Sequence, residues 1–204
     1  YEGKEEQMID LTSRLKRIAL GGVFEYFLAP LAKGSPTPSN FKFDLRTDTT
    51  VYFVPKADRV TVGFRISFMD RADNEIGRVF LREFADPSLR RKLGNAPIVD
   101  FDVQPQVVLK EFGVDRAAPT DLGFVCFTML PLHCQDTRRA KVVESLQVFR
   151  NFVQYHLKCA KSYMHSRMRF ATVKWTQYLN RAKRNTETNQ PKRIYTAGGK
   201  LKLS

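Results

Sequence analysis

The chain has 204 residues, of which 43% are hydrophobic, 12% aromatic and 27% charged, and its formal net charge is +13. This composition excludes an intrinsically disordered chain, which has too few aromatic residues to bury a core, and it predicts a single folded domain. The excess of basic residues favours an acidic partner, such as a nucleic acid, an anionic membrane surface or an acidic protein.

The sequence carries no membrane or secretory signal: no apolar run is long enough to cross a bilayer, and no secretory apolar segment precedes a cleavage site. Cys126, Cys134 and Cys159 are an odd set without the CxxC spacing of a zinc site or a redox pair. We therefore expect a reduced, cytosolic compartment.

The first part of the chain predicts a helix followed by two strands. Apolar residues at helical spacing predict a helix over residues 5–28, with a kink at Gly21 and Gly22. The segment Pro30–Asn40 is rich in Pro, Ser and Gly and is predicted as a loop. Strands are expected at Phe41–Arg46 and Thr50–Val54. The residues that carry the helical spacing are Met8, Leu11, Leu15, Ile18, Val23 and Phe27.

The clearest strand signal is the strict alternation of apolar and other residues over Val60–Phe68, which predicts one buried and one solvated face. The segment Asp70–Asn74 is predicted as a turn that leads into a further strand, Glu75–Phe84. The remaining predictions before residue 131 are a polar loop, Ala85–Pro97, extended segments at Ile98–Val103 and Val107–Phe112, and a central strand, Leu122–Leu130.

The last third of the chain predicts one very long basic helix. Residues 136–184 contain no Pro and no Gly, and residues 138–184 carry a net charge of +11. Such a helix spans roughly 70 Å, whereas a compact body of this chain length is about 40 Å across, so we expect the helix to extend beyond its own domain.

Apolar residues form a stripe along this whole helix, and polar residues occupy a narrower wedge. Because an exposed apolar ridge of this length is unfavourable, we expect an obligate partner subunit along its distal half. The alternative is that the chain's own sheet covers the whole stripe and the helix is simply long. The stripe contains Val142, Leu146, Phe149, Val153, Leu157, Ala160, Met164, Ala171, Trp175, Tyr178 and Ala182, flanked by Val148, Phe152, Tyr155, Cys159, Tyr163 and Phe170. The wedge, predicted to be the solvated or ligand-facing side, contains Glu144, Gln147, Arg150, Asn151, Gln154, Lys158, Lys161, His165, Arg169, Thr176 and Lys183.

These elements predict an α+β fold: a mostly antiparallel sheet with an N-terminal helix and a very long C-terminal helix packed on one face. We expect residues 1–184 to form a single α/β domain, with the long helix at about 136–184. Residues 185–204 are predicted to be a basic tail, extended or disordered until a partner binds it.

Catalytic and metal-binding patterns are weak, so we expect no enzyme activity, no cofactor and no metal. His156 and Cys159 could supply two ligands to a metal ion, but His165 lies on the side of the helix opposite His156 and cannot join them. His133 and Cys134 are adjacent, yet no orienting carboxylate or oxyanion-forming glycine turn accompanies them, and a structural role is favoured. The acidic residues of segment 70–75 fit turn positions better than calcium ligands.

Three classes of acidic partner compete for the basic wedge. Nucleic acid is the usual partner for such a charge, although the aromatic residues belong to the apolar stripe and do not alternate with exposed cations. A membrane surface is disfavoured because Arg167, Lys174 and Arg181 recur every seven residues at the border of the stripe, where they suit salt bridges to a neighbouring subunit. An acidic protein surface such as an actin filament is the third class.

Five strings of the sequence resemble one family, the second subunit of the actin-related protein 2/3 complex. YHLKC (155–159), CAKSYMHSRMR (159–169) and YLNRAK (178–183) resemble the long C-terminal helix of that family. DRVTVGFRISF (58–68) and IGRVFLREF (76–84) are similar to paired strands of its second domain. The matches occur in the same order as in the family and cover most of residues 5–204.

The resemblance implies a non-catalytic scaffold subunit of the cytoplasmic actin cytoskeleton. In this family the C-terminal helix pairs antiparallel with the long helix of subunit 4, and the two subunits contact the side of the mother actin filament during branched nucleation. The chain shows no counterpart of the family's first domain, so it would correspond to the second domain alone or to a truncated form. A nucleic-acid-binding domain that uses the basic C-terminal helix and tail remains the alternative.

The residues expected to carry these contacts fall into two sets. The predicted partner-subunit interface is Phe149, Phe152, Val153, His156, Ala160, Met164, Arg167, Ala171, Trp175 and Tyr178. The predicted actin-filament contact is Lys158, Lys161, Arg169, Lys183, Arg184, Lys192 and Arg193. Exposed charge pairs contribute only about 0.2 to 1 kcal/mol each, so the cluster is expected to matter more than any one residue.

Overall fold

A computed structural model describes residues 2–35, 38–114, 116–118 and 121–182. The chain divides into two units, Tyr1–Ala160 and Lys161–Ser204. The helices are α1 (Glu2–Lys33), α2 (Arg71–Phe84), α3 (Pro87–Leu93) and α4 (Asp136–Ala182), and the strands are β1 (Phe41–Arg46), β2 (Thr49–Pro55), β3 (Val60–Ile66), β4 (Ile98–Asp102) and β5 (Gly123–Met129). Short 3₁₀ helices lie at Val107–Phe112 and Pro131–His133.

The five strands of the first unit form one antiparallel sheet in the order β1-β2-β3-β5-β4. In the middle of the sheet Val62 pairs with Phe53 on one side and with Phe127 on the other. These are β-branched and aromatic residues, which suit a pleated surface. The α+β fold with an antiparallel sheet is confirmed.

Helices of the first unit cover one face of this sheet and enclose the main core. Phe27 of α1 stacks on Phe53 with ring centroids 4.4 Å apart. Phe149 of α4 meets Phe127 edge to face at 4.8 Å and lies 5.3 Å from Phe64. Each of these large side chains stabilises the fold by about 1.5 to 3 kcal/mol through burial.

The second face of the sheet is also covered, so the prediction of a solvated face on β3 is wrong. Thr61 is buried, and a Cβ atom on Gly63 would lie 3.0 Å from Leu109 Cδ2. Leu109 belongs to the 3₁₀ helix Val107–Phe112, a segment predicted as extended. It packs with Tyr52, Phe124 and other residues in a second, smaller core. Because both faces are buried, the polar positions of β3 are small or hydrogen-bonded.

The segment Glu75–Phe84 is helical, which corrects the predicted strand. Asp70 caps α2 by accepting a hydrogen bond from the backbone amide of Ala72 at 2.9 Å, as favoured N-cap residues do. Asn74 is buried and bonds both backbone groups of Phe68, at 2.9 and 2.7 Å, so the predicted turn residues begin the helix. Gly77 lets the helix approach the sheet closely, because a Cβ atom there would lie 2.6 Å from Leu122 Cδ1.

Two predicted loops also contain helix. The predicted polar loop 85–97 includes α3, whose N-cap Asp86 accepts from the Ser88 amide at 2.7 Å. The N-terminal helix continues through Gly21, Gly22 and Pro30 to Lys33, so the predicted loop 30–40 begins only after it. Gly34 then adopts a φ of 61°, a left-handed conformation that commonly follows a helix.

In the second unit, the described residues 161–182 are helical throughout as part of α4. The predicted domain limits of 1–184 and 185–204 remain predictions, because residues 183–204 lie outside the described part of the chain. Among the described helices, none combines the length and the apolar character needed to span a membrane.

Candidate partner-binding surface on the long helix

The first part of α4 is anchored in the core of the first unit. Val143, Leu146, Phe149, Val153 and Leu157 recur at spacings of three and four residues and are all buried. This spacing places them on one face of a helix, which is the face that meets the sheet. The Arg139 side chain also forms an ion pair with Glu25 of α1, with Nε 2.7 Å from Oε2. The orientation of this part of α4 is therefore fixed by its own fold.

Arg150 was predicted in the solvated wedge, and this prediction is wrong, because the residue is only 6% exposed. Its guanidinium donates to the carboxylate of Asp48, in the turn between β1 and β2, and to Gln154 Oε1 at 2.9 Å. Burial alone would raise the pKa of Asp48, but hydrogen bonds from Arg150 and Thr49 and the charge of Arg150 outweigh it. The pKa of Asp48 consequently lies below its usual range.

Beside its buried face, this part of α4 leaves aromatic residues exposed. Phe152 stays 42% exposed and Tyr155 64%. His156 stacks on Phe80 of α2 with ring centroids 5.5 Å apart and meets Phe152 edge to face at 4.3 Å. A hydrogen bond with Cys159 raises the pKa of Tyr155. This surface offers mainly ring faces and edges to a partner.

In the second unit, every described side chain of α4 from Ser162 to Ala182 is exposed, and Lys161 is partly buried. Trp175, for example, is 66% exposed. Covering each large apolar side chain would contribute about 1.5 to 3 kcal/mol, and monomeric proteins rarely expose so many together. The large exposed apolar residues are Tyr163, Met164, Met168, Phe170, Val173, Trp175, Tyr178 and Leu179.

Three cations of the second unit lie over aromatic rings of the same helix. Arg167 is 5.7 Å from the centroid of the Tyr163 ring and donates to Tyr163 Oη at 2.9 Å. The Lys174 amine lies 4.6 Å from the centroid of the Phe170 ring, and the Arg181 guanidinium lies 6.0 Å from that of the Tyr178 ring. The three cations that recur every seven residues thus have partners within α4. Their predicted salt bridges to a neighbouring subunit remain a prediction.

The structure places the ten predicted interface residues in two different environments. Phe149 and Val153 are buried in the core of the first unit, so they contact their own sheet. Phe152 and His156 lie on the surface of the first unit, and Ala160, its last residue, is partly exposed. The remaining predicted residues are all exposed in the second unit: Met164, Arg167, Ala171, Trp175 and Tyr178.

Of the predicted filament-contact residues, Lys158 and Arg169 are exposed, and Lys161 is partly buried. Lys158 belongs to the first unit, whereas Lys161 and Arg169 belong to the second. The other four predicted contacts lie outside the described residues: Lys183, Arg184, Lys192 and Arg193.

The adjacent residues His133 and Cys134 are both buried in the fold. His133 is buried and accepts a hydrogen bond at Nδ1 from the backbone amide of Leu130 at 3.0 Å, and burial lowers its pKa. Burial raises the pKa of the Cys134 thiol to about 11, so the thiol stays protonated at neutral pH. Within the described residues, no three His, Cys, Asp or Glu side chains are grouped as metal ligands.

Sequence reasoning did not assign a surface to the first turns of α1, although it found their periodicity. Met8, Leu11, Leu15 and Ile18 are all exposed in the structure. Their spacing of three and four residues places them on one face of α1. The same apolar spacing that predicts the helix is the signal that identifies this second surface.

Comparison with known proteins gives the family. A family model described as "Arp2/3 complex, 34 kD subunit p34-Arc" matches residues 1–186. A protein named actin-related protein 2/3 complex subunit 2 from Dictyostelium discoideum is 34% identical over 184 residues, covering 90% of this chain and 61% of the relative. A protein of the same name from Schizosaccharomyces pombe is 32% identical over 203 residues, covering 90% of this chain and 63% of the relative.

The chain thus spans less than two thirds of the length of these two relatives. The match extends over most of the residues in which the sequence resemblance was found, and that resemblance is confirmed. The chain belongs to the family of the 34 kD subunit, p34-Arc, of the Arp2/3 complex.

Proposed function

We propose that this chain is a non-catalytic structural subunit of an actin-related protein 2/3 complex in the cytoplasmic actin cytoskeleton. In this proposal α4 pairs with the long helix of subunit 4, and the assembled pair contacts the side of the mother actin filament during branched nucleation. The observation that carries the proposal is the exposed apolar surface of residues 162–182.

The chemistry of that surface supports a partner helix. Met164, Trp175 and Tyr178 are large, exposed and at helical spacing, as expected for side chains that anchor a helix-helix interface. Within the first unit, Phe149 and Val153 hold the first part of α4 on the sheet. Neither family membership nor the fold of this chain specifies which subunit binds, so subunit 4 is part of the proposal.

A matched pair of substitutions tests the helix interface. Trp175→Glu places a charge on the apolar surface, whereas Thr176→Glu introduces the same residue one position further on, in the predicted polar wedge. When the chain is co-expressed with the other subunits, we expect Trp175→Glu to reduce co-purification of the partner at least about tenfold. The Thr176→Glu chain should assemble like the wild type. Equal assembly of the two variants would overturn the proposed interface.

Filament contact is proposed to rest on the basic side chains of α4. Lys158 and Arg169 are exposed and can attract an acidic filament surface through long-range electrostatics. Co-sedimentation of the assembled complex with actin filaments tests this role. The double variant Lys158→Glu with Arg169→Glu should pellet less than the wild type at low salt, and the difference should shrink as salt screens the attraction.

The charge of residues 138–184 supports nucleic-acid binding as a second candidate, because +11 of the chain's +13 lies there. A salt titration of duplex DNA binding separates the two functions. Tight DNA binding with a steep salt dependence, together with no filament pelleting, would favour this second candidate. Filament pelleting with weak DNA binding would favour the structural subunit.

A further inference from the structure

The first unit contains a half-open cavity of about 640 Å³ beside the anchored part of α4. Its floor is apolar and includes Val99 of β4, Phe127 and Met129 of β5, and Leu146 and Phe149 of α4. Phe127, Met129, Leu146 and Phe149 are buried side chains of the main core. The cavity is therefore a recess in a rigid wall, and its volume is in the range of known binding pockets.

The charged lining residues of the cavity are two cations and one anion. Lys92 and Lys141 are exposed, and neither forms an ion pair within the described part of the chain. Asp86, the acid, is occupied as the N-cap of α3: it accepts from the Ser88 amide at 2.7 Å. That hydrogen bond lowers the pKa of Asp86, which is thus held as a bonded carboxylate. Asp86 keeps its negative charge beside Lys92, so the charged lining sums to +1, and Lys141 supplies the positive charge that Asp86 does not offset.

The mouth of the cavity opens onto exposed apolar surface. Val148 is 48% exposed, and Phe84 and Phe152 also line the recess while remaining in contact with solvent. The aromatic surface continues through Phe80, which lies 6.2 Å from Phe152 between ring centroids. An occupant that covers both the recess and this surface is larger than a ligand enclosed in the cavity. A protein segment with apolar side chains meets that requirement.

We propose that this recess receives apolar anchor side chains of an acidic amphipathic segment from another subunit of the assembly. Asp or Glu residues flanking the anchors meet Lys92 and Lys141 at the rim. The inference rests on the proposed function, because it takes the occupant from the same complex. A second copy of this chain as the occupant is the competing outcome, which the crosslinking experiment below distinguishes.

Photo-crosslinking in the reconstituted complex identifies the occupant directly. A benzoylphenylalanine residue replaces Val148, whose exposed side chain lines the recess, and crosslinked peptides are sequenced by mass spectrometry. We expect a crosslink to another subunit, within a segment that contains apolar residues and more Asp and Glu than Lys and Arg. A crosslink to a second copy of the chain, a crosslink to a basic segment, or no crosslink in a complex that assembles would overturn the inference.

Charge reversal tests the rim. The double variant Lys92→Glu with Lys141→Glu should weaken association with the other subunits by about tenfold and should reduce its dependence on salt. The matched control is Lys42→Glu with Lys56→Glu, which reverses two exposed charges elsewhere on the first unit and should leave association unchanged. Equal effects of the two double variants would overturn the role of the rim.

A substitution that fills the recess tests whether an apolar side chain of the partner enters it or whether the partner contacts only the charged rim. Ser145 lines the cavity on exposed α4 surface, and Ser145→Trp should weaken association about tenfold without lowering the melting temperature. Unchanged association would overturn the inference, as would native mass spectrometry showing an acyl lipid in the recess of the assembled complex. If the wild-type chain fails to assemble at all, the proposed function itself is overturned. If it assembles and the recess variants behave like the wild type, only this inference fails.

Discussion

Arg150 of α4 holds Asp48 in the turn between β1 and β2, with Nε 3.2 Å from Oδ1 and a second hydrogen bond from Nη2 to Oδ2. The two residues are 102 positions apart in the chain, so the pair joins the long helix to the far end of the β1–β2 hairpin. The Arg150 guanidinium also lies 5.6 Å from the centroid of the Phe68 ring. This two-point contact fixes the rotation of α4 about its own axis on the sheet.

Removing the cation of this pair should destabilise the fold. Arg150→Met keeps much of the side-chain volume but leaves the Asp48 carboxylate without its partner in a partly buried site. We expect the free energy of unfolding to fall by about 3 kcal/mol, measured by urea denaturation. Arg169→Met removes an exposed arginine from the same helix and should change it by less than about 0.5 kcal/mol. Equal losses in the two variants would contradict the assigned role of the pair.

The buried carboxylate of Asp121 and the partly buried carboxylate of Asp48 should make the fold sensitive to acid. For Asp121, burial acts to raise the pKa, but hydrogen bonds from Arg65 and Ser67 lower it further than burial raises it, and Asp48 behaves in the same way. Both carboxylates have a pKa below the value of about 3.9 expected in the unfolded chain. They bind protons less readily when folded, so their contribution to stability is complete above that value and is lost as the pH falls through the depressed pKa.

Denaturation midpoints at about pH 6 and about pH 3 measure this effect. The wild type should lose stability between the two, and the double variant Asp48→Asn with Asp121→Asn should lose less over the same interval. An identical pH dependence in the variant and the wild type would exclude these carboxylates as its source.

Two helical glycines should respond in opposite directions to the same substitution. A Cβ atom on Gly77 would lie 2.6 Å from Leu122 Cδ1, and Leu122 is fully buried, so Gly77→Ala should destabilise the fold by about 1 to 3 kcal/mol. A Cβ atom on Gly22 meets nothing within 4 Å, so Gly22→Ala should stabilise α1 by about 0.5 to 1 kcal/mol. Thermal unfolding of both variants checks the pair. A loss of stability on Gly22→Ala would contradict an open environment at that position.

The two aromatic residues Phe149 and Trp175 should differ sharply in their contribution to the stability of the isolated chain. Phe149 lies in the main core, and Phe149→Ala should lower the free energy of unfolding by about 3 to 5 kcal/mol. Trp175 is 66% exposed, and Trp175→Ala should change it by less than about 0.5 kcal/mol. Far-ultraviolet circular dichroism during urea denaturation compares them. A large loss for Trp175→Ala would mean that its ring is covered within the isolated chain.

The sheet was predictable because most of its strands carry strong local signals. Phe41–Arg46 matches β1 residue for residue, and the apolar run before Leu130 matches β5 closely. The strand predicted at Glu75–Phe84 failed because Val79, Phe80 and Leu81 suggest a strand when considered alone. The Asp70 cap and the spacing of Gly77, Leu81 and Phe84 were the available helical signals. A tertiary contact, the close approach of Gly77 to Leu122, favours the helix.

Long-range contacts account for the other differences. The second face of β3 was predicted to be solvated because its cover, Leu109, lies more than forty residues later in the sequence. Arg150 was predicted to be solvated because helical periodicity places it in the polar wedge, and only the fold brings Asp48 to it. In the candidate site, periodicity correctly found apolar positions along all of α4. It could not separate those buried by the sheet, such as Val153, from those left exposed, such as Trp175.

The cations that lie over Tyr163, Phe170 and Tyr178 also affect how α4 meets water and other molecules. Each hydrated cation covers one face of an aromatic ring, so less apolar ring surface is available for nonspecific contacts than the number of aromatic residues suggests. A nonspecific apolar surface can therefore contact only the ring edges and the methionine side chains. A specific partner must supply anions or aromatic rings that displace the three cations from the ring faces. The cations beside these three aromatic residues should therefore reduce nonspecific aggregation through the exposed part of the helix.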